Sequence, residues 1–547
     1  MRILFLSTAH NSLSQRAFVE LTDIGHDVYV QIASNDHVME EAVKRYKPDL
    51  IVAPFLKKYI TETIWRNHTC IIVHPGIKGD RGPSSLDWAI FNDEKQGGVT
   101  LLQANEKLDA GDIWASHNFK IKCVSKSYLY RHEVTDAAII GLLETIERFE
   151  SGKKPEILDY NQVDVRGRKH NTMKQVCRSI NWSEPTSVIA KKIRSADSQP
   201  GLLDIIYEEE YYLYGVHEED NLTGEPGEII AKRNDAICRA TGDGSVWITH
   251  LKRKNQEDSI YFKLPAAKIL DKQLKDVQEL PYKNNVNEHT FKEIWYEEKN
   301  SVGYLYFEFY NGAMSTDQCL RLKDAFVKAK KRGTNVIVLM GGSDFWSNGI
   351  HLNIIEGADN PADESWRNIN AINDIIKEII LTDSHLVISA IRGNAAAGGV
   401  FIALAADKVV AQNGIILNPH YKKMGLYGSE YWTYLLPKRV GSEMAIEITE
   451  NCLPMSTKTA TEIGLIDDTI DGVNLKNEII NIAEELATSS RYKNMLEQKQ
   501  CKRKEDESIK PLEEYRKMEL EQMWNNFYGS NQIYHIARKR FVYKLSC

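Results

Sequence analysis

A chain of 547 residues, 42% hydrophobic and 27% charged, has the makeup of a folded globular protein and excludes a disordered or membrane-embedded one; its length calls for several cores, and three domains suit its pattern. The formal net charge of -7, from 69 basic against 76 acidic residues, offers no global attraction for nucleic acid or an anionic membrane, so neither is expected as a partner. The eight cysteines (Cys70, Cys123, Cys177, Cys238, Cys319, Cys452, Cys501 and Cys547) are scattered, with no C-x-x-C pair and no close Cys/His cluster, which predicts reduced thiols in a cytoplasmic protein and no metal site.

In chain order, Met1 to Leu6 carries an apolar run too short for a signal peptide or membrane span and predicts a first buried strand. Short apolar runs at Ile3 to Ser7, Val28 to Ile32, Leu50 to Val52 and Cys70 to Val73 alternate with segments of helical character, the pattern of a parallel, doubly wound α/β sheet. The first strand-to-helix turn, Thr8 to Ser14, has no glycine, which disfavours a dinucleotide pyrophosphate there. A helix over about Lys126 to Glu150 ends at Ser151-Gly152-Lys153-Lys154-Pro155, a stop that suits a domain edge. From Gly227 to Lys252, alternating runs separated by Asn234-Asp235 and Gly242-Asp243-Gly244 predict a small antiparallel unit. A charged, strand-poor stretch over about Asp271 to Lys299 is expected to be a linker. An alternating pattern then restarts with a strand at Val302 to Phe309, a helix at Asp317 to Lys331 and a strand at Val336 to Met340, and a Lys/Glu-rich helical tail follows about Glu478.

The first candidate site lies at the carboxyl end of the Cys70 to Val73 strand, where ligands bind in open parallel sheets. His74 leaves the strand into Pro75-Gly76-Ile77-Lys78-Gly79-Asp80-Arg81-Gly82-Pro83, and Leu108-Asp109-Ala110-Gly111-Asp112 sets carboxylates in a glycine turn. His74 alone is equally a satisfied structural histidine; a carboxylate nearby would fix its tautomer and suit acid-base work. These motifs resemble the hydrolase domain of methionyl-tRNA formyltransferase and other 10-formyltetrahydrofolate enzymes. The resemblance continues through Ile180-Asn181-Trp182-Ser183-Glu184-Pro185, Gly224-Glu225-Pro226-Gly227 and Ala240-Thr241-Gly242-Asp243-Gly244, which are similar to that family's barrel-like C-terminal domain. It implies that His74 and Asp109 are catalytic, that Ala53, Pro54, Phe55 and Leu56 line the pterin slot, and that Arg81 contacts substrate. Ile72 stands where that family has asparagine, so the amide that donates to the developing oxyanion is missing.

The second candidate site joins Asp344-Phe345-Trp346-Ser347-Asn348-Gly349-Ile350-His351 with Ile391-Arg392-Gly393-Asn394-Ala395-Ala396-Ala397-Gly398-Gly399, two turns of small residues that expose backbone N–H groups. Together with Asn418-Pro419 and Gly464-Leu465-Ile466-Asp467, they resemble the enoyl-CoA hydratase/isomerase, or crotonase, family. By that resemblance the N–H groups of Ile350 and Gly398 form an oxyanion hole for a thioester carbonyl. Phe401 and His420 stand where hydratases have glutamates, so simple hydration is not expected. Glu430 is the expected base and Tyr427 or His420 the proton donor; the alternative makes the aromatics core and Glu430 a solvated helix-start residue. The basic run Arg538-Lys539-Arg540 is either a solvated helical face or a holder of the CoA phosphates.

The expected architecture is therefore α/β: a Rossmann-like formyltransferase domain over 1–160, a small OB-like β-barrel domain over 170–275, and a crotonase-fold domain with a helical tail over 290–547. The fusion resembles the HypX/HoxX family of hydrogenase maturation factors. It implies transfer of a formyl group from 10-formyltetrahydrofolate to coenzyme A, decarbonylation of formyl-CoA to CO for nickel-iron hydrogenase, and the hydrogenase maturation proteins as partners. Two other classes stay open: a formyltransferase or hydrolase releasing formate beside a non-catalytic CoA-binding module, and a non-catalytic assembly factor.

Overall fold

The computed structural model describes residues 1–282, 289–472 and 474–545. Cys547 and the middle of the expected 271–299 linker lie outside them. The chain divides into two compact units, one built on Met1–Pro281 and the other from Lys292 onward.

In the first unit β1 (Arg2–Ser7), β2 (Asp27–Ile32), β3 (Leu50–Ala53) and β4 (Cys70–His74) pair in parallel, in the sheet order β2-β1-β3-β4-β5-β6. Side chains alternate across this sheet. Ile3, Phe5, Leu50, Val52 and Ile71 enter one apolar cluster, while Leu4, Leu6, Ile51, Ala53 and Cys70 enter another. Burial on both faces is what makes these runs continuously apolar. The sheet is not parallel throughout: β5 (Gln96–Gln103) and β6 (Ile113–Lys120) add antiparallel. Residues 104–112 are fewer than the roughly dozen that a crossover back to a parallel strand needs. The expected 126–150 helix is interrupted by a π-helical turn at Tyr130–Val134, where the Thr135 hydroxyl donates to the Tyr130 carbonyl at 2.8 Å and competes with the regular ladder.

The same unit holds a second, antiparallel sheet of β7 (Leu202–Ile206), β8 (Glu209–Glu219), β9 (Ile229–Arg233), β10 (Ala236–Ala240) and β11 (Ser245–Arg253), in the order β7-β8-β11-β10-β9, with β12 (Leu264–Pro265) on β11. The antiparallel unit is thus larger than the 227–252 pattern predicts. The acidic, tyrosine-rich run Glu209-Glu210-Tyr211-Tyr212 hides the period of β8. Nor is the segment after residue 150 a free linker. Gly167 N donates to Lys78 O at 2.9 Å and His170 N to Arg81 O at 2.8 Å, folding it onto the loop after β4.

The second unit holds a six-stranded sheet of β13 (Ile294–Lys299), β14 (Val302–Phe307), β15 (Val336–Leu339), β17 (Leu386–Ile391), β19 (Lys408–Gln412) and β22 (Asp468–Ile470) and a four-stranded one of β16 (Phe345–Ser347), β18 (Asn394–Ala396), β20 (Ile416–Asn418) and β21 (Met455–Ser456). β13 corrects the linker expectation. It pairs antiparallel with β14 and stacks Trp295 on Tyr306 at 4.7 Å between ring centroids, while its charged end, Glu297-Glu298-Lys299, disguises the strand. The helical tail is no appendage: Leu512, Met523, Phe527 and Tyr534 enter the unit's main core, and the Leu512–Tyr528 helix packs on Pro361–Ile380.

Candidate functional site

β4 delivers His74 to the carboxyl edge of the first sheet, where its side chain is buried, with only 5% of the residue exposed. Its Nδ1 lies 3.7 Å from Asp109 Oδ2, and its Nε2 lies 3.4 Å from Ser85 Oγ. The first distance is beyond hydrogen-bond range, a looseness common where a site tightens on substrate. Asp109 sits in a left-handed turn at φ +48°, and its Oδ2 accepts from Gly82 N at 3.2 Å, so the two motifs of the sequence meet. Burial draws the His74 pKa down against the raising fields of Asp109 and Asp80, which favours a neutral imidazole. A Cβ on Gly76 would stand 2.7 Å from both His74 Nε2 and Asp80 Cβ; glycine is there for space.

Ala53 and Pro54 are buried, and Phe55 and Leu56 half-buried, at the end of β3. Phe55 O accepts from Thr8 N at 2.7 Å, and its ring meets Tyr130 edge-on at 6.2 Å. The expected pterin slot therefore adjoins the first turn and the π-helical turn. Arg81 lies over the Tyr160 ring at 5.3 Å, and its buried Nε lacks a hydrogen-bond partner among the described residues. Ile72 packs into the apolar cluster and offers no side-chain donor.

In the second unit the two small-residue turns converge: a Cβ on Gly349 would stand 3.2 Å from Gly398 N. Among the described residues no backbone hydrogen bond takes the N–H of Ile350 or Gly398, so both are available to a carbonyl oxygen. Glu430 faces them. It is 4% exposed, in a left-handed backbone at φ +65°, and a Cβ on Gly398 would overlap its Oε1. Its Oε2 accepts from Ser429 N at 2.9 Å, and its own N–H donates to Asn373 Oδ1 at 2.8 Å. Burial, joined by the field of Glu519, raises its pKa to about 8. The solvated-residue alternative for Glu430 is thereby excluded.

Three regions of this chain match family models: residues 7–146 formyl transferase, 172–260 the formyl transferase C-terminal domain, and 297–545 enoyl-CoA hydratase/isomerase. The chain is 45% identical over 549 aligned residues to the hydrogenase maturation factor HoxX of Bradyrhizobium diazoefficiens, covering 100% of this chain and 95% of that one. It belongs to the HypX/HoxX family of hydrogenase maturation factors. A crystal structure of HypX from Aquifex aeolicus in complex with tetrahydrofolic acid superposes with a TM-score of 0.96 at 44% identity, over 100% of this chain and 97% of that one. Methionyl-tRNA formyltransferase of Thermotoga neapolitana is 24% identical over 43% of this chain and 75% of its own.

In this HypX/HoxX chain the remaining expected residues scatter. His420 is half-buried, with its Nδ1 2.8 Å from Asn418 O and its pKa lowered by burial. Tyr427 is tied by its N–H to Asn526 Oδ1 at 2.8 Å and packs on Trp432 at 5.6 Å. Arg538 is 1% exposed and bonded to Glu356 Oε2 at 2.7 Å, so it is neither a solvated face nor a free phosphate ligand; only Lys539 and Arg540 of that run are exposed. Sequence reasoning missed Tyr421, whose buried hydroxyl has no hydrogen-bond partner among the described residues and whose pKa is pushed well up by burial and by Glu430. It also missed Asn373, Glu519 and the Asp80–His170 pair, Oδ1 to Nε2 3.1 Å. Tyr421, next to His420, and Asp80, in the loop after His74, had a positional signal. Among the described residues no group of three or more His, Cys, Asp or Glu could hold a metal ion, and no helix is long and apolar enough to cross a membrane.

Proposed function

We propose that this protein transfers the formyl group of 10-formyltetrahydrofolate to the thiol of coenzyme A and then splits formyl-CoA into CO and CoA, as a source of the CO ligand of nickel-iron hydrogenase. The observation that carries this reading is the buried carboxyl of Glu430 lying against Gly398, whose N–H, like that of Ile350, takes no backbone hydrogen bond among the described residues, in a module with no glutamate at the two hydratase positions, Phe401 and His420. In the first step neutral His74, oriented by Asp109, takes the thiol proton as sulfur attacks the formyl carbon; collapse of the tetrahedral adduct expels the N10 amine, which takes the proton. In the second, the amides of Ile350 and Gly398 hold the thioester oxygen while Glu430 moves the formyl proton to sulfur. The C–S pair leaves on sulfur and the C–H pair stays on carbon as CO, so nothing is oxidised or reduced. Lys539 and Arg540 are the exposed cations of the tail assigned here to the CoA phosphates. Tetrahydrofolate in the Aquifex relative supports the first donor.

The test is to incubate the pure protein with 10-formyltetrahydrofolate and CoA and follow CO by haemoglobin absorbance. CO that tracks formyl consumption is the expected result. Formate in its place would favour the hydrolase reading, and no consumption of formyltetrahydrofolate would favour the non-catalytic assembly factor, for which Ile72, without a donor, and Phe401 are the supporting residues.

A further inference from the structure

Glu430 is not the only buried carboxylate in its neighbourhood. Glu519, on the Leu512–Tyr528 helix of the tail, is fully buried. It accepts hydrogen bonds from Tyr431 N at 2.9 Å, Thr433 N at 2.9 Å and Thr433 Oγ1 at 2.6 Å, and shares the Ser429 hydroxyl, at 3.4 Å, with Asn373 Oδ1 at 3.2 Å. These donors flank Glu430 on both sides. Among the described residues the Glu430 carboxyl accepts from a single neighbour, Ser429 N. Among the described residues neither carboxylate has a cation within 4 Å; Arg516, the cation of this region, is bonded to Asp374 at 2.8 Å and Asn370 at 3.1 Å.

Two carboxylates that share a dry site do not both ionise, and the one with more donors keeps the charge. A carboxylate meeting only N–H and O–H donors is an acceptor throughout. We infer that Glu519 is a positioning residue for Glu430: its ionised carboxylate pins the left-handed Ser429–Tyr431 turn against Gly398 and leaves Glu430 as the member of the pair that holds the proton. This deepens the proposed chemistry and rests on it for its meaning. Glu430 then acts as acid before base: its proton goes to the thioester sulfur as the C–S bond breaks, and the resulting carboxylate takes the formyl proton as the C–H pair becomes the CO lone pair, restoring the starting state.

The ordering agrees with the titration tendencies, Glu430 pushed up to about 8 and Glu519 to about 7, both chiefly by burial. The other titratable groups facing the pair are Tyr421 from the 3-10 turn Tyr421–Met424, Cys319 from the Thr316–Ala329 helix, Tyr427 and Tyr431. Burial raises all four, so they stay neutral near pH 7.

Infrared spectroscopy of the full chain between pH 5 and 10, about the range that brackets both groups, reads the proton directly. A protonated-carboxyl band present near neutral pH should vanish in Glu430→Gln and persist in Glu519→Gln, where loss of the neighbouring charge moves its titration down by about one pH unit. CO release from synthetic formyl-CoA should fall as pH rises through about 8 in the unmodified protein, and the fall should move to lower pH in Glu519→Gln. Thr433→Val, which removes one donor to Glu519 and leaves the backbone bonds, should shift it the same way by less. If Glu519→Gln does not fold, Thr433→Val decides alone, and an unshifted profile overturns the inference. A band that survives Glu430→Gln, or disappears in Glu519→Gln, also overturns it. If the band behaves as expected while Glu430→Gln still releases CO at the normal rate, the pairing stands and the decarbonylation reading falls.

Discussion

The site of the first unit is built from neighbours in sequence and that of the second from distant pieces, yet burial does the same work in both. His74 and Asp109 come from β4 and from the β5–β6 connection, which pair side by side in one sheet. Glu430 depends on Gly398, Asn373 and Glu519, from three other helices or turns. Burial lowers the pKa of the imidazole and raises that of the carboxyl, and both shifts favour the uncharged form. Under the proposed function the outcome is opposite: a neutral histidine accepts a proton, and a neutral glutamic acid donates one.

The comparison breaks most sharply if the two sites are not separable. Glu430→Gln should lower CO release from synthetic formyl-CoA by about 10²- to 10⁴-fold, roughly 3 to 5 kcal/mol in the barrier, while formyltetrahydrofolate is still consumed. His74→Ala should do the reverse, and parallel loss of both activities in either variant would show that the assignment is wrong. Gly398→Ala is expected to cost about 10²-fold in CO release, because the new methyl takes the space of Glu430 Oε1; near-normal release would mean that the carboxyl works elsewhere.

Stability against pH sharpens the contrast. A carboxyl raised from 4.5 to about 8 on folding makes the folded state hold more protons than the unfolded one in that window. Stability is then fully present below pH 4.5 and lost as pH rises through about 8, at about 1.4 kcal/mol per pH unit for one group. Glu430→Gln should flatten that slope in denaturant titrations, whereas a slope unchanged by the substitution would place the strain in another group. The smallest effect is expected at the tail: replacing exposed Lys539 and Arg540 by alanine should weaken CoA binding by less than about tenfold and move stability by about 0.5 kcal/mol or less. Calorimetric titration with CoA checks it, and a larger loss would make this run the main phosphate site.

How much of this was legible follows the same division. β1 to β4, His74 and Asp109 declare themselves because apolar runs and glycine turns are local signals. Glu430 could be picked out from the chain, since it follows the turn after Gly425, but its burial could not, because the residues that bury it lie far away. Glu519 was illegible: in a helix carrying Glu513, Glu514, Glu519 and Glu521, nothing marks the one that turns inward. Arg538 was misjudged for the same reason, its partner Glu356 being 182 residues earlier. Strands β8 and β13 escaped because solvated charges on their exposed ends mask the alternation that defines a strand.

The bond from Tyr431 to Glu519 spans 88 residues, and a ribosome adds residues in order, at roughly 5 to 20 each second. The amides of Ile350 and Gly398, and the turn that carries Glu430, therefore emerge seconds before the carboxylate that pins them. A chain stopped short of residue 519 lacks that anchor together with Met523, Phe527 and Tyr534 of the unit's main core, so the packing of this unit and the setting of Glu430 are completed together, once the tail has emerged.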